Sequence, residues 1–325
     1  RVERMKRKRN PLYLSRLEAI ERVCSKKPRK EEENWRVDPP KFTVDDIMWF
    51  GRGGKKRAMS DRKFRALYGI PPLVVSRLWD RIFCYFSGML PRIWTLFDLF
   101  NCFSFLKTFG SSWEDLAHKA DMSINTYKAK LQMSLEILDK VLPEFDFDQR
   151  KVNWSYLKPS CIIDTFTSPI QQPKSSSDSY RYKAKPKVAF GYKYEVLMSI
   201  GEPRVIWLKG PFKGAANDAT IACESGIKQK LEEAGERALA DKLYKGARNE
   251  EYFMRPVSAS QMQEFDDLYN ATVYSARQSV ERIIKRLRNM TFNKKEWAFG
   301  AELHGLCMRV SGKILNVVLQ YEPLG

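Results

Sequence analysis

The sequence predicts an α/β domain that follows an all-helical domain, and its hydrophobic pattern is the basis for this. From about Ser60 to Leu142, apolar residues recur at steps of three and four, as in packed helices. From Trp154 onward the pattern changes to short apolar runs and strict alternation, which is typical of strands. Apolar residues make up 43% of the 325-residue chain, enough for a core in more than one domain. We therefore predict a basic arm and linker at 1–58, a helical domain at 59–150 and an α/β domain at 151–325.

The charge balance is strongly basic, with 57 Lys and Arg against 39 Asp and Glu and a net charge of +18. Such an excess indicates a polyanionic partner, either nucleic acid or an anionic membrane surface. The sequence has no apolar run long enough to span a bilayer and does not open on a secretory signal, so we favour nucleic acid. The predicted phosphate-binding residues of the arm and linker are Arg7, Lys8, Arg9, Arg52, Lys55, Lys56 and Arg57. The arm could equally be a nuclear-import signal or a solvated tail.

The cysteines and histidines argue against several other classes of protein. The six cysteines form no CxxC pair, and the two histidines lack zinc-finger spacing. We expect a reduced, intracellular protein without structural zinc. Neither histidine has a neighbouring nucleophile pattern, so a Ser or Cys triad is not expected.

The helical domain contains the outline of a helix-turn-helix. After Gly110, Ser111 and Glu114 have the spacing of a capping box, and a short turn separates this helix from a longer one. The residues near the exposed start of the second helix are Asn125, Thr126, Lys128 and Lys130. These residues would contact DNA, unless the pair is an ordinary helical hairpin that packs on the next domain.

Three strands are predicted at the start of the α/β domain. The first is the apolar run Ser160–Thr167, and a loop with Lys183, Lys185 and Lys187 follows it. Alternating apolar residues predict the second strand, from Lys187 to Ile200, and 204–210 forms the third after a short turn. The short turn implies an antiparallel pair.

A helix and two further strands complete the predicted sheet. Asn217 begins a helix with Ala219, Cys223, Ile227 and Leu231 along one stripe. A fourth strand at 237–240 and a fifth at 252–257 follow, and then two long helices, one around Glu281 and one from Ala301 to Gln320. This order predicts an RNase H-like domain, a mixed five-stranded sheet with flanking helices.

Asp164 stands out because it is a carboxylate in an apolar strand with no basic neighbour in sequence. Burying a carboxylate is costly unless a cation compensates it. Asp241 follows the fourth strand and Glu281 lies within a helix, so the fold could bring three acids together. Three such carboxylates suit a hard divalent cation.

Each of the other acids also has a purely structural interpretation. Glu281 lies at the border of the apolar stripe of its helix, and Arg277 and Lys285 stand four residues away on either side, where either could form a weak surface pair. Lys242 could neutralise Asp241. A fourth acid, Asp218, lies at a helix start, where capping explains it without catalysis, and we assign it a structural or supporting role.

Four blocks in the α/β domain resemble DDE transposases of the PIF/Harbinger type and their bacterial insertion-sequence relatives. The blocks are IIDTFTSPIQQP, GPFKGAANDATI, ALADKLYKG and SVERIIKRLRNM, and the resemblance extends over about Phe97 to Leu324. It implies a catalytic triad of Asp164, Asp241 and Glu281, with 76 residues between the first two and 39 between the last two. The chain differs from the family pattern at Asn217, where His is usual, and at Leu243, where Gly is usual.

The resemblance implies a DNA transposase that uses two Mg²⁺ or Mn²⁺ ions. Asp164 would bridge the ions, while Asp241 and Glu281 would each complete one. The expected substrate is double-stranded DNA, at terminal inverted repeats and at a target site. A Myb-like DNA-binding partner protein and a homodimer or larger assembly are also implied, with a nuclear location in a eukaryote and a cytoplasmic or nucleoid one otherwise.

Two alternatives remain open at this point. A domesticated, non-catalytic DNA-binding or chromatin-associated protein would keep the fold and charge without cutting. A nuclease of the same fold could act on RNA or R-loops instead.

Overall fold

The computed structural model describes residue 47 and residues 59–86, 94–109, 112–151, 159–184, 188–200, 202–244, 251–256 and 266–324. Two compact units are present. One contains the described residues up to Phe105 and from 112 to Val141; the other contains 106–109 and the described residues from Leu142 onward. The arm residues Arg7, Lys8, Arg9, Arg52, Lys55, Lys56 and Arg57, and the loop residues Lys185 and Lys187, lie outside the described residues. Within the described part of the chain, no helix is long and apolar enough to cross a membrane.

The first unit is helical. Its elements are α1 (Asp61–Tyr68), α2 (Pro72–Tyr85), most of α3 (Leu96–Thr108), α4 (Trp113–Lys119) and α5 (Ile124–Val141). The Ser60 hydroxyl accepts a hydrogen bond from the Lys63 amide and caps α1. At the first position of α2, Pro72 suits a helix start because its missing amide proton has no helical partner there.

Aromatic and aliphatic side chains form the core of this unit. Trp79 stacks on Trp94 with 5.7 Å between ring centroids, and the Trp94 indole donates to the buried Ser134 hydroxyl at 2.8 Å. This bond satisfies the polar end of a buried indole and fixes α5 beside the start of α3. Leu78, Ile82, Leu99, Phe103 and Leu135 are buried around it.

The helices α4 and α5 are separated by the four residues 120–123. Asp121 adopts the left-handed conformation there, with φ +52°. The N-cap of α4 is Ser112, which accepts from the Asp115 amide, and not Ser111, which lies outside the described residues. The Ser112–Asp115 pair has the same three-residue spacing as the predicted Ser111–Glu114 pair, so the sequence pattern could not separate the two registers.

The second unit is built on a five-stranded sheet. Its strands are β1 (Cys161–Pro169), β2 (Gly191–Ser199), β3 (Val205–Lys213), β4 (Ala238–Leu239) and β5 (Phe253–Met254). The spatial order is β3-β2-β1-β4-β5. The first three strands are antiparallel neighbours, while β4 lies parallel to β1 and to β5. This is the RNase H-like arrangement that the element order predicts.

Helices cover both faces of the sheet. They are α6 (Ser176–Tyr182), α7 (Asp218–Glu224), α8 (Ile227–Ala234), α9 (Asp266–Arg288) and α10 (Ala301–Tyr321). Ile163 and Leu197 form a buried cluster with Ile227 and Leu231 of α8. On the opposite face, the Tyr194 hydroxyl is 2.7 Å from the Nδ1 atom of His304 in α10. Both faces of β1 and β2 are therefore buried.

Two predictions for this unit are wrong in detail. The single helix from Asn217 is divided into α7 and α8, because Gly226 adopts a left-handed φ of +87° between them. Cys223 is consequently exposed, and Ile221 and Ala222 are buried instead. The loop after β1 also contains α6, which its Ser-rich and Pro-rich composition did not indicate.

Candidate active site

Strand pairing places the first two predicted acids side by side. Cys161 pairs with Ala238 and Ile162 with Leu239 in the parallel β1–β4 ladder. Continued two residues beyond Leu239, the same register brings Asp241 level with Asp164. Neighbouring strands lie about 4.8 Å apart, and residues two positions further along keep the same face of the sheet. The carboxyl end of β4 therefore delivers Asp241 to the side of Asp164.

Asp164 lies in an environment that disfavours its charge. Burial raises the pKa of this carboxyl group to about 6. The Thr165 amide donates to Asp164 Oδ1 at 2.8 Å and lowers the pKa, as does the positive charge of Arg277. The negative charges of Asp218 and Asp241 raise it. Several acids thus concentrate negative charge at the middle of β1.

Two arginines of α9 act on this negative charge: the charge of Arg288 interacts with Asp164, and Arg277 also forms an ion pair. Its Nη2 atom lies 3.4 Å from Asp241 Oδ2, and the two side chains are only 11% and 26% exposed. The second Asp241 oxygen, Oδ1, accepts from the Lys242 amide at 2.6 Å. Arg277 therefore makes a partly buried ion pair with one acid while its charge also acts on Asp164.

Glu281 lies one helical turn beyond Arg277, and its side chain is exposed. Among the described residues, Glu281 forms no ion pair with Arg277 or Lys285, so the weak surface pair considered from the sequence is not formed. Across the same part of the chain, no group of three or more His, Cys, Asp and Glu side chains could hold a metal ion as arranged. The three-acid metal centre stays a prediction.

Asp218 belongs to a polar cluster beside the acids. Its Oδ1 atom accepts from the Thr165 hydroxyl at 2.6 Å and from Lys193 Nζ at 3.2 Å. The adjacent Asn217 provides the cap of α7, because its side chain accepts from the Thr220 amide at 2.7 Å. The carboxylate of Asp218 is therefore used to tie α7 to β1 and β2, next to Asp164.

Sequence reasoning missed Glu195, a fully buried acid in β2. Its Oε2 atom accepts from the Trp207 indole at 3.0 Å, and the hydrogen bonds of Ser225 and Trp207 lower its pKa. Burial raises its pKa to about 7. The signal was available, since Glu195 interrupts an alternating apolar strand as Asp164 interrupts its own.

The residues predicted to bind DNA through α5 have different surroundings. Asn125 is exposed, and Thr126 helps to cap the helix through Ser123. Lys128 is exposed, with its ammonium 4.9 Å from the Trp113 ring centroid. Lys130 instead reaches both oxygens of the buried Asp98, at 2.9 and 3.1 Å. Lys130 therefore forms an ion pair within the helical unit.

Lys183 is the described member of the basic loop after β1. It follows α6, and its side chain is exposed. It is therefore accessible for the phosphate contact that the sequence predicts.

The arrangement around Asp164 and Asp241 is suited to a cation. One carboxylate in the middle of β1 and one just beyond the end of β4 supply the hard oxygen ligands that Mg²⁺ and Mn²⁺ prefer. A guanidinium already pairs with one of them and acts electrostatically on the other. Two of the three predicted ligands therefore fit a divalent ion, and Glu281, on the same helix as Arg277, is the nearest acid along that helix to complete it.

Comparisons with known proteins give a family match in this region. Residues 163–297 match the family described as DDE superfamily endonuclease, a range that includes all three predicted acids. A search of curated proteins found no match. One solved structure, a crystal structure of a pre-cleavage Mos1 transpososome, is similar over 87% of this chain and 98% of that chain. Its sequence identity to this chain is 12%, and the TM-score is 0.19.

Proposed function

We propose that this protein is a metal-dependent enzyme that cuts DNA, and more narrowly a DNA transposase; the match of residues 163–297 to the family described as DDE superfamily endonuclease supports this proposal. The observation that carries this proposal is that Asp241 follows β4, the parallel neighbour of β1, and that its charge acts on the buried Asp164 in β1. Such a pair needs a compensating cation, and a phosphodiester substrate brings further negative charge to the same place. A divalent ion would compensate the charge of both the carboxylates and the phosphodiester.

The proposed catalytic and metal-binding residues are Asp164, Asp241 and Glu281, with Mg²⁺ or Mn²⁺ as cofactor. Asp164 and Asp241 would hold an ion from the sheet, and Glu281 would approach from α9. A bound divalent ion stabilises the charge that develops on a phosphate and lowers the pKa of a water molecule. The Thr165 amide and the Thr165–Asp218 hydrogen bond would hold the Asp164 carboxylate in place.

DNA binding is proposed for the basic surfaces of both units. In α5, Asn125 and Lys128 are exposed and would reach the duplex, while the basic loop after β1 would neutralise phosphates near the acids. Cutting at transposon ends, joining to a target, a Myb-like partner, a homodimer and a nuclear location in a eukaryote all belong to the same proposal.

A second candidate function is a DNA-binding protein derived from a transposase that no longer cuts. The observation that favours it is the arrangement of the acidic side chains and their ion pairing. Within the described residues no three of them form a metal site, and Arg277 pairs with Asp241. A non-cutting protein would keep this ion pair permanently.

Cleavage of a supercoiled plasmid with Mn²⁺ separates the two functions. We expect the wild-type chain to nick DNA, and Asp164→Asn, Asp241→Asn and Glu281→Gln each to lower the rate by roughly 100-fold or more, since losing one group that stabilises transition-state charge costs about 10² to 10³. Circular dichroism of each variant controls for folding. Equal nicking by all four proteins would exclude the triad, whereas DNA binding without nicking by the wild type would favour the second function.

A further inference from the structure

Arg277 is placed where a metal ion would have to compete with it. Its guanidinium lies 3.4 Å from Asp241 Oδ2, and its side chain is 11% exposed. Its Nε atom is buried and has no hydrogen-bond partner among the described residues. A buried donor without a partner is costly, so the guanidinium is held there mainly by its ion pair and by its charge.

Three carboxylates and more than one cation lie in the surroundings of Arg277. Asp164 and Asp241 both interact with it, and Asp218 adds a third carboxylate that Lys193 partly compensates. The charge of Arg288 on the same helix also acts on Asp164, so the ion pair of Arg277 with Asp241 is one of several interactions that compensate the acids in the metal-free protein. A divalent ion that takes an Asp241 oxygen as ligand removes the acceptor that Arg277 uses.

We propose that Arg277 is an internal counter-ion of the metal-free protein, which leaves Asp241 when a divalent cation binds. The proposal rests on the proposed metal-dependent function and identifies one determinant of its metal affinity. The ion pair and the metal share one carboxylate, so each weakens the binding of the other. Arg277 thus keeps the two acids from repelling each other and raises the metal concentration that the site needs.

The consequence for a variant is an increase in metal affinity. Arg277→Met keeps a long apolar side chain on α9 but removes the competing charge. We expect it to bind Mn²⁺ about 10-fold more tightly than the wild type, because one mutually exclusive charged interaction typically changes affinity by 5- to 150-fold. Without metal, the same variant should unfold at a lower temperature, since Asp164 and Asp241 lose their common cation.

The test is a Mn²⁺ titration of the full chain, with free Mn²⁺ measured by electron paramagnetic resonance. Lys285→Met is the matched control, because it removes an exposed positive charge from the same helix without an ion pair to either acid. Asp241→Asn shows whether binding occurs at this site. We expect tighter binding by Arg277→Met, wild-type affinity for Lys285→Met and loss of affinity for Asp241→Asn.

The outcomes distinguish this proposal from the proposed function. Mn²⁺ binding that depends on Asp241 but is not tightened by Arg277→Met would overturn the counter-ion role and leave the metal-dependent function intact. Absence of Mn²⁺ binding in the wild type and in Arg277→Met would overturn both. If Lys285→Met raised the Mn²⁺ affinity as much as Arg277→Met, the increase would result from the change in net charge. That result would also overturn the specific role of Arg277.

Discussion

Glu195 shows how a single residue can make the stability of the sheet depend on pH. Its side chain is fully buried in β2, and burial outweighs the hydrogen bonds from Ser225 and Trp207 that favour its charged form. Its pKa is raised from 4.5 to about 7 in the folded protein. Between these pH values the carboxyl group is mostly neutral in the folded protein and mostly ionised in the unfolded chain. The contribution of Glu195 to stability therefore falls as the pH rises from about 4.5 to 7 and is constant above that range.

We expect Glu195→Gln to remove the loss of stability that the wild type shows as the pH rises. The amide oxygen can still accept from the Trp207 indole, and no charge has to be buried. At pH 8 the variant should be more stable than the wild type by at most about 3 kcal/mol, and at pH 4.5 the advantage should vanish. Urea unfolding at both pH values measures the difference. Glu296→Gln, at an exposed acid, is the control, and a pH-independent difference for Glu195→Gln would contradict the assignment.

Lys130 and Lys128 lie two residues apart in α5 but are expected to serve different purposes. Lys130→Met takes the cation from Asp98, whose side chain is 0% exposed. The Thr95 amide and hydroxyl still donate to Asp98, so the expected loss of unfolding free energy is about 1 to 3 kcal/mol. Lys128→Met should leave stability within about 0.5 kcal/mol and weaken binding to duplex DNA.

Urea unfolding and fluorescence anisotropy with a labelled duplex measure the two effects. Each lysine variant is the control for the other, since both changes remove one positive charge from the same helix. Equal destabilisation by both variants, or unchanged DNA binding by Lys128→Met, would contradict this division of roles.

At the scale of elements, the sequence predicted the apolar strands well, but it did not predict where the helix after Asn217 is divided. The apolar run before Asp164 and the alternation around Tyr194 and Val196 identify β1 and β2. Strands that are buried in a sheet require apolar residues at the positions that face the core, and the sequence shows this pattern directly. The four-residue stripe after Asn217 suggested one helix. A single left-handed residue, Gly226, ends it, and periodicity does not record the backbone angle of one glycine.

The candidate site was predictable in its acids but not in its cation. Asp164 and Asp241 each follow a short apolar run, and parallel pairing then places them together. Arg277 looked like a helical neighbour of Glu281 at a spacing of four residues. It pairs with Asp241 instead, because α9 packs against β1 and places the Arg277 side chain beside the residue that follows β4. Contacts of this kind depend on tertiary packing, which local spacing does not specify.

At the scale of the whole molecule, the net charge of +18 should govern DNA binding. Each neutralised phosphate releases counterions, so the logarithm of the binding constant falls by about 0.9 for each phosphate contact and tenfold rise in salt. With six to ten contacts, affinity should drop roughly 10³- to 10⁵-fold between about 50 and 200 mM salt. Anisotropy titrations across this range measure the slope.

The control for the salt dependence is a chain with Arg7, Lys8 and Arg9 changed to Ala. Loss of three phosphate contacts should reduce the slope by about 2 to 3. A wild-type slope near zero would contradict an electrostatic mode of binding, whatever the affinity at low salt.

The brevity of β4 has a consequence for how the chain can vary. Only two residues, Ala238 and Leu239, set its alignment, and each is paired on both sides, with β1 and with β5. A shift by one position would turn Asp241 to the far side of the sheet and separate it from Asp164. One residue inserted between Leu239 and Asp241 would therefore misplace the second carboxylate while leaving the pairing of β4 with β1 and β5 intact.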